Sequence, residues 1–236
     1  MSDLYWLTDE QMERLRPFFP KSHGKPRVDD RRVLSEIIFV NRNGLRWRDA
    51  PREYGPPKTL YNRWKRWSAM GIFIRMMEGL TTGKAELQTI MIDATYLKAH
   101  RTASSLRFKK GLHAVTDQNG RPLDFFMTAG QISDYTGAAA LLDGLPPAEW
   151  MLADRGYDAD WFRDALEEKG IKPCIPRRKS RGKPIKYDRR KYKRRNRIEI
   201  MFGRLKDWRR VATRYDRCPT IFFSAICLAA TVMFWL

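Results

Sequence analysis

Residues 87–95, LQTIMIDAT, mark the point where the chain turns from helical to sheet-forming patterns. This largely apolar stretch predicts a strand over 87–95 that carries an aspartate, Asp93, at its C-terminal end. Downstream, LHAVT (112–116) and LDFFMT (123–128) flank an Asn-Gly turn, which is a strong hairpin signal. These patterns predict an α/β fold, a mixed sheet flanked by helices. The other elements predicted in this region are helices at 136–142 and 160–169 and strands at 150–153 and 171–175.

Upstream of residue 87 the sequence predicts an all-α unit. Thr8 and Gln11 form a capping box that opens a first short helix, and apolar residues at helical spacing indicate a second. A third helix is predicted from Lys58 to Met70 and a fourth over 72–80. Because the basic third helix follows a turn-rich stretch, the unit resembles a helix-turn-helix DNA reader, with plain packing of amphipathic helices as the alternative. The residues expected to contact DNA are Lys58, Asn62, Arg63 and Arg66.

The charge of the chain is large and uneven. Of its 236 residues, 46 are lysine or arginine and 27 are aspartate or glutamate, a formal net charge of +19. Residues 172–210 alone carry 18 basic and 3 acidic side chains. Such a block indicates a polyanionic partner, because each cation docked on a phosphate releases counterions. Aromatic and aliphatic residues interleave with this charge, which disfavours a solvated basic tail. Lys179 and Lys183, in a loop-like stretch, are expected to affect mainly the salt dependence of binding.

Cysteine usage and hydropathy exclude several classes of protein. Cys174, Cys218 and Cys227 lie far apart, which excludes a disulfide scaffold or a cysteine-based zinc site and fits a reducing compartment. The first residues, MSDLYWLTDEQ, lack the pattern of a secretory leader. Residues 221–236 are apolar but shorter than the roughly 18–20 residues of a membrane span, so we expect a buried C-terminal helix. A cytoplasmic, nucleoid-associated protein with no membrane partner is therefore expected.

Three carboxylates are candidates for chemistry. Asp93 and Asp154 each follow a short apolar strand, and ligands collect at such strand ends in open α/β sheets. A single aspartate at a strand end is more often a turn former or a helix cap. Glu199 lies amid dense positive charge, in the middle of a helix predicted over 192–208, and makes the combination more specific than either aspartate alone.

Helix geometry aligns Glu199 with three other polar residues. At 100° per residue, Tyr192 and Lys206 are each seven positions from Glu199 and are offset by about 20°. Arg195, four positions before Glu199, is offset by about 40°. The four residues form one longitudinal stripe beside an apolar face. A surface salt-bridge ladder is the alternative interpretation, because Arg195 and Glu199 are an ordinary i,i+4 pair.

Residues 192–206, YKRRNRIEIMFGRLK, contain Y-x2-R-x3-E-x6-K, which resembles the signature of bacterial insertion-sequence DDE transposases. The strings MIDATY (91–96), ADRGYDAD (153–160) and RIEIMFGRLKDWRRVATRYD (197–216) are similar to the insertion-sequence-five group in particular. The resemblance extends over nearly the whole chain. It implies a ribonuclease-H-like DDE catalytic domain over 81–236, preceded by the helix-turn-helix-like DNA-binding domain over 1–80.

The resemblance implies metal-dependent strand cleavage at the ends of a mobile element, followed by strand transfer into target DNA. Two divalent ions, Mg²⁺ or Mn²⁺, would need hard anionic oxygen ligands for this chemistry. By resemblance Asp93 bridges both ions, and Asp154 and Glu199 each hold one. The residues that are expected to position phosphates of the element end are Tyr192, Arg195 and Lys206.

The expected partner is double-stranded DNA, as terminal inverted repeats and as target, bound by a homodimer. Family members usually carry a longer glycine-rich stretch after the first acid. Here Gly111 is the only glycine between Asp93 and Gly120, and 61 positions separate Asp93 from Asp154. A catalytically inactive, DNA-binding repressor of its own element is therefore one alternative. A nuclease of the same fold without strand transfer is the other.

Overall fold

The computed structural model describes residues 4–21, 29–83, 87–100, 110–129, 134–182 and 184–236. The chain forms two compact units. The first lies within residues 1–80, 100–103 and 205–236, and the second within residues 81–99 and 104–204. Across the ranges described, no helix is long and apolar enough to cross a membrane.

Helices build the first unit and flank the sheet of the second. The helices are α1 (Asp9–Leu15), α2 (Asp30–Asn43), α3 (Pro57–Ala69), α4 (Ile72–Thr81), α5 (Asp134–Leu142), α6 (Asp160–Glu168), α7 (Arg189–Tyr192), α8 (Asn196–Asp207), α9 (Arg209–Ala212) and α10 (Pro219–Ala230). The strands are β1 (Thr89–Ala99), β2 (Lys110–Thr116), β3 (Pro122–Ala129), β4 (Trp150–Leu152), β5 (Lys172–Cys174) and β6 (Thr213–Arg214).

The first unit begins as the sequence predicts. The Thr8 hydroxyl accepts the N–H of Gln11 at 3.1 Å and the Gln11 side chain accepts the N–H of Thr8 at 3.0 Å, so the capping box is formed. The Asp29 carboxylate caps α2, which ends at Gly44 in the left-handed conformation (φ 71°). The connection over 44–56 carries two 3₁₀ turns. It is thus longer than the three to four residues of the tight helix-turn-helix motif.

An aromatic core holds the helices of the first unit together. Trp64 and Trp67 of α3 are buried, and their ring centroids lie 4.8 and 6.3 Å from that of Phe73. Helix α10, which is almost entirely buried, packs against α2, α3 and α9. Residues 205–236 therefore belong to the same compact unit as the N-terminal helices, whereas the sequence places them in a domain that starts at residue 81.

The sheet of the second unit has the strand order β3-β2-β1-β4-β5. Strand β2 is antiparallel to both β1 and β3, and β4 and β5 run parallel to β1. Among these five strands β2 alone runs in the opposite direction. This is the ribonuclease-H-like arrangement, so the predicted fold is confirmed. The Asn-Gly hairpin between β2 and β3 is also confirmed, with Gly120 at φ 79°.

The two faces of β1 have different neighbours. Ile90 and Ile92 belong to a buried cluster that includes Leu141 of α5 and Leu166 of α6. Since successive strand residues point to opposite faces, Asp93 lies on the face away from α5 and α6. The core of the sheet thus directs Asp93 to the other side.

Three predicted elements differ from the observed ones. Strand β1 does not end near Asp93 but continues to Ala99, because β2 pairs with it over seven successive residues. The helix predicted over 192–208 is divided into α7, a 3₁₀ turn (Lys193–Arg195) and α8. Six of the seven residues 189–195 are basic, and like charges three or four positions apart destabilise a continuous helix. In the last predicted helix, the α-helical part, α10, ends at Ala230, and a π-helical turn (Thr231–Trp235) follows it.

Candidate active site

The first two acids lie on β1 and just after its parallel neighbour β4. In this pair, Ile90 is opposite Met151, and Met91 is opposite Leu152, the last residue of β4. Asp93 comes two residues after Met91, and Asp154 comes two residues after Leu152. Because the two strands run parallel and adjacent strands are about 4.8 Å apart, both acids follow the paired residues at the same end of the pair. Asp154 also caps the turn after β4, because its Oδ1 accepts the N–H of Gly156 at 2.7 Å.

The third acid reaches the first through an arginine. Arg195 Nη2 lies 2.8 Å from Asp93 Oδ2, and Arg195 Nη1 lies 2.6 Å from Glu199 Oε1. The Arg195 side chain is 12% exposed, whereas that of Glu199 is 58% exposed. One guanidinium therefore joins two of the three predicted acids. The interpretation of Arg195 and Glu199 as a surface ladder alone does not account for the contact with Asp93.

Tyr192 belongs to the same group of side chains. It is half-buried, and burial raises the pKa of its hydroxyl; Arg195 opposes that rise, while Asp154 and Asp93 add to it. The charges of both acids therefore act on the Tyr192 hydroxyl. Arg195 contacts Asp93 directly, although 102 positions of the chain separate them.

Burial dominates the electrostatics of Asp93. Desolvation raises the pKa of its carboxyl, and Asp154 adds to the rise, whereas Arg195 and the N–H of Ala94 oppose it. For Arg195 burial is the largest single effect and favours the neutral form, but Asp93, Tyr192, Glu199 and Asp154 together outweigh it and raise the pKa of the guanidinium. A carboxylate cluster with this character holds a cation more readily than it holds a second anion.

The donor set fits a magnesium or manganese site in its chemistry. All three acids offer carboxylate oxygens, which are the ligands that these hard cations prefer, and the cluster already holds one cation, the Arg195 guanidinium. As the side chains stand, no three His, Cys, Asp or Glu residues in the described ranges are arranged to hold a metal ion. Arg195 accounts for this, because it lies between Asp93 and Glu199.

The comparisons with known proteins agree with this arrangement. A family described as "Transposase DDE domain" matches residues 84–234, and one described as "Putative transposase of IS4/5 family" matches residues 7–77. This chain belongs to the insertion-sequence DDE transposases. The "Putative transposase for insertion sequence element IS6501" of Brucella ovis is 38% identical over 53% of this chain and 96% of that protein.

Two further relatives match parts of this transposase. The "Uncharacterized protein y4sN" of Sinorhizobium fredii is 37% identical over 44% of this chain and 86% of that protein. The "Putative transposase for insertion sequence element IS402" of Burkholderia cepacia is 31% identical over 52% of this chain and 61% of that protein. The resemblance read from the sequence is therefore confirmed at the level of the family.

The transposase does not bring every predicted DNA-contacting residue to one surface. On α3, Lys58, Asn62 and Arg66 are exposed. Arg63 is not: its Nη1 lies 3.2 Å from Asp30 Oδ1, and its guanidinium lies 5.3 Å from the ring of Trp67. The expectation that Arg63 lies with the exposed residues is wrong, because a half-buried acid on α2 draws its side chain inward.

Two further exposed residues of α3, Tyr61 and Lys65, complete this surface. The Lys65 Nζ lies 5.8 Å from the ring of Tyr61, and Lys65 was not among the residues predicted from the sequence. Lys65 is seven positions after Lys58, so the helical period could have identified it. We call the exposed group Lys58, Tyr61, Asn62, Lys65 and Arg66 the α3 surface.

Lys206 and the basic loop complete the set of predicted DNA contacts. Lys206 lies on α8 two turns after Glu199, about 10 Å along the same helix face. Its contact with a phosphate stays a prediction. Lys179 is exposed in the loop that follows β5, whereas Lys183 lies outside the described residues.

Proposed function

We propose that this protein cuts DNA strands at the ends of its insertion sequence and transfers the freed 3′-hydroxyl into target DNA. The observation that carries the proposal is the Arg195 guanidinium, which pairs with both Asp93 and Glu199, while Asp154 follows the strand that runs parallel to β1. Three carboxylates in one place are costly for a protein that only binds DNA, because they repel phosphates.

We propose that Asp93, Asp154 and Glu199 would hold two divalent cations, Mg²⁺ or Mn²⁺. Such ions would activate an attacking hydroxyl or water and stabilise the leaving oxygen. The chain's own contribution is to orient the three acids: strand register sets Asp93 beside Asp154, and the capped turn after β4 keeps the Asp154 carboxylate in place.

We propose that the basic neighbours of the acids position the DNA. Tyr192 and Arg195 lie at the acids and would contact phosphates near the cleaved bond, and Lys206 would hold a phosphate two helix turns away. The α3 surface would read the terminal inverted repeats, since its side chains are exposed on a helix that can enter a groove. A homodimer on DNA fits an element with two ends.

The alternative of an inactive repressor gains no support. It rested on the short segment between Asp93 and Gly120, part of which, residues 101–109, lies outside the described residues. Strand β2 nonetheless pairs with β1 at seven successive positions, from Lys110 to Thr116, so the part of the sheet that carries Asp93 is complete.

The proposal is tested with the protein, Mg²⁺ or Mn²⁺, and a duplex carrying the repeats that flank its own gene. We expect new 3′-hydroxyl ends at the repeat boundary and, with a target duplex present, joined products. Cut ends without joined products would indicate the nuclease without strand transfer. Specific binding without any cut ends in either metal would support the repressor.

A further inference from the structure

A second aspartate, four residues after Asp154, has no role in the proposed chemistry but lies at the centre of a dense hydrogen-bond network. The Asp158 side chain is completely buried. Its Oδ1 accepts from Arg163 Nε at 2.9 Å, and its Oδ2 accepts from the Arg178 N–H at 2.7 Å and from Arg181 Nε at 3.0 Å. Two of these three donors come from the basic loop over 176–182, so the Asp158 carboxylate fastens that loop.

The same loop is also fastened to the turn that follows Asp154. Arg178 Nε donates to the carbonyl oxygen of Arg155 at 3.0 Å, and Arg178 Nη2 donates to that of Gly156. The Asp154 carboxylate caps the other side of this turn through the N–H of Gly156. The turn thus has the candidate metal ligand on one side and the basic loop on the other, and Asp158 connects the loop to it.

The cations of this region fall into two groups. The side chains of Arg178 and Arg181 are used within the protein, and Arg181 also pairs with Asp160 at 2.6 Å. Arg155 and Lys179 are exposed, and their side chains have no hydrogen bond or ion pair with any residue the structure describes. These two free cations lie on the two segments that Arg178 and Asp158 hold together.

We propose that Asp158 is a positioning residue that holds the 176–182 loop against the turn after Asp154, so that Arg155 and Lys179 bind DNA phosphates beside the acids. Four of the six residues 177–182 are basic, so the loop would repel itself without a buried counter-charge. This inference rests on the proposed function for its ligand, DNA, whereas the fastening of the loop is independent of it.

The fastening is tested by limited trypsin digestion with mass-spectrometric mapping, because the loop contains four trypsin sites. Replacing the buried charge leaves its donors poorly paired, so Asp158→Asn should speed cleavage within 176–182 by roughly tenfold or more, relative to cuts elsewhere. The matched control is Asp160→Asn, whose exposed carboxylate contacts the same Arg181 and whose loss should change the rate by less than about twofold. Equal rates for the two variants would overturn the fastening.

A second variant covers the case in which Asp158→Asn fails to fold. Arg178→Ala removes the contacts to the Arg155 and Gly156 carbonyls but leaves Asp158 paired with Arg163 and Arg181. It should raise cleavage at the remaining loop sites in the same way, with cuts elsewhere unchanged. A loop that stays as resistant as in the native protein would contradict the proposal.

The phosphate role is tested by the salt dependence of binding to the duplex that carries the flanking repeats. Each lost phosphate contact reduces the magnitude of the negative slope of log K against log salt by about 0.9. Arg155→Ala and Lys179→Ala should therefore each make the slope shallower by that amount. Lys169→Ala is the control, since Lys169 is an exposed lysine at the end of α6 with no partner among the described residues, and should leave the slope unchanged.

A double-variant cycle separates positioning from plain structural support. Lys179→Ala should lower the slope in the native and Asp160→Asn backgrounds but not in Asp158→Asn, where the released loop no longer holds Lys179 at the DNA. An undiminished Lys179 effect in Asp158→Asn would overturn the positioning role. If the native protein binds no DNA, the proposed function fails, and the trypsin result still decides whether Asp158 fastens the loop.

Discussion

Asp93 in the sheet and Glu36 in the helical unit are both acids held largely out of solvent, and burial raises the pKa of both, that of Glu36 to about 8. They differ in their partners. Asp93 has the guanidinium of Arg195 at 2.8 Å, and the charge of Asp154 acts on its carboxyl. Glu36 is fully buried in α2, and neither carboxylate oxygen has a hydrogen-bond partner among the residues described.

The comparison indicates which property of a buried acid is typical of a functional site. A raised pKa alone is common to both residues and so carries no functional information here. Asp93 is partnered by a cation and accompanied by other acids, and its charged form has a use. Glu36 has no hydrogen bond among the described residues, and the charge of Arg32 only partly offsets its burial, so its protonation is a matter of stability. Substitutions should therefore separate the two: loss of chemistry at one, a change of folding at the other.

The largest effect is expected at Asp93. Asp93→Ala should lower end cleavage by at least roughly a thousandfold, the scale on which removing a charge-stabilising group acts, while affinity for the repeat duplex stays within about twofold. Cleavage and gel-shift assays on the same protein preparation measure this. The control is Asp143→Ala, an exposed acid at the end of α5. If Asp143→Ala loses as much activity as Asp93→Ala, the site assignment is wrong.

Glu36 should dominate the pH dependence of stability. Its folded pKa of about 8 lies above the ordinary value of 4.5, so the folded state binds the proton more tightly. The contribution of Glu36 to stability is therefore largest below pH 4.5 and falls as the pH rises to about 8, by an amount on the order of 4 kcal/mol. Glu36→Gln should remove this slope in urea unfolding, and the exposed Glu10→Gln should keep it. A native protein equally stable at pH 5 and pH 8 would contradict the contrast with Asp93.

The α3 surface should separate DNA affinity from stability. Lys65→Ala and Arg66→Ala should weaken DNA binding, by about 1–3 kcal/mol at particular base pairs if they read bases. A uniform loss across all sequences would make them phosphate contacts. Arg63→Ala should instead lower the free energy of unfolding by about 1–3 kcal/mol, because it removes the ion pair between Arg63 and half-buried Asp30. A sequence-specific binding loss at Arg63 with unchanged stability would restore the original assignment.

The smallest effect on affinity is expected at Lys206. It shares a helix face with Glu199, so Lys206→Ala should reduce cleavage or joining much more than binding, since one phosphate contact among many changes affinity little. Comparing cleavage rate with salt slope for Lys206→Ala and Lys179→Ala measures this. If the two variants behave alike, Lys206 is a solvated helix residue and has no part in the contrast between chemistry and binding.

Much of the fold could be predicted from local patterns. The capping box at Thr8, the Asn-Gly hairpin and the short apolar strands all appear near the expected residues, because their causes lie within a few residues of chain. Glu36 also had a local signal that was not used. It lies three positions after Val33 and four before Val40, on the apolar stripe of α2, where an acid is out of place.

Contacts between distant residues decide what local patterns cannot. Arg63 was expected on the exposed side of α3 because only its own helix was considered, and its partner Asp30 is 33 positions earlier. The packing of α10 with α2 and α3 is likewise a long-range fact that periodicity cannot supply. For the site, the sequence predicts the acids and the pairing of Arg195 with Glu199. The contact of Arg195 with Asp93 joins residues 102 positions apart, which no local period predicts.

We propose that Asp93, Asp154 and Glu199 act together as metal ligands. Cysteine substitution of the aspartates, combined with exchange of Mg²⁺ for Mn²⁺, tests this claim. A thiolate suits Mn²⁺ better than Mg²⁺. Asp93→Cys and Asp154→Cys should therefore cut the repeat duplex poorly with Mg²⁺ and regain at least about tenfold with Mn²⁺, beyond any gain of the native protein. Native rates with Mg²⁺ in both variants, or no gain with Mn²⁺ in either, would contradict the claim.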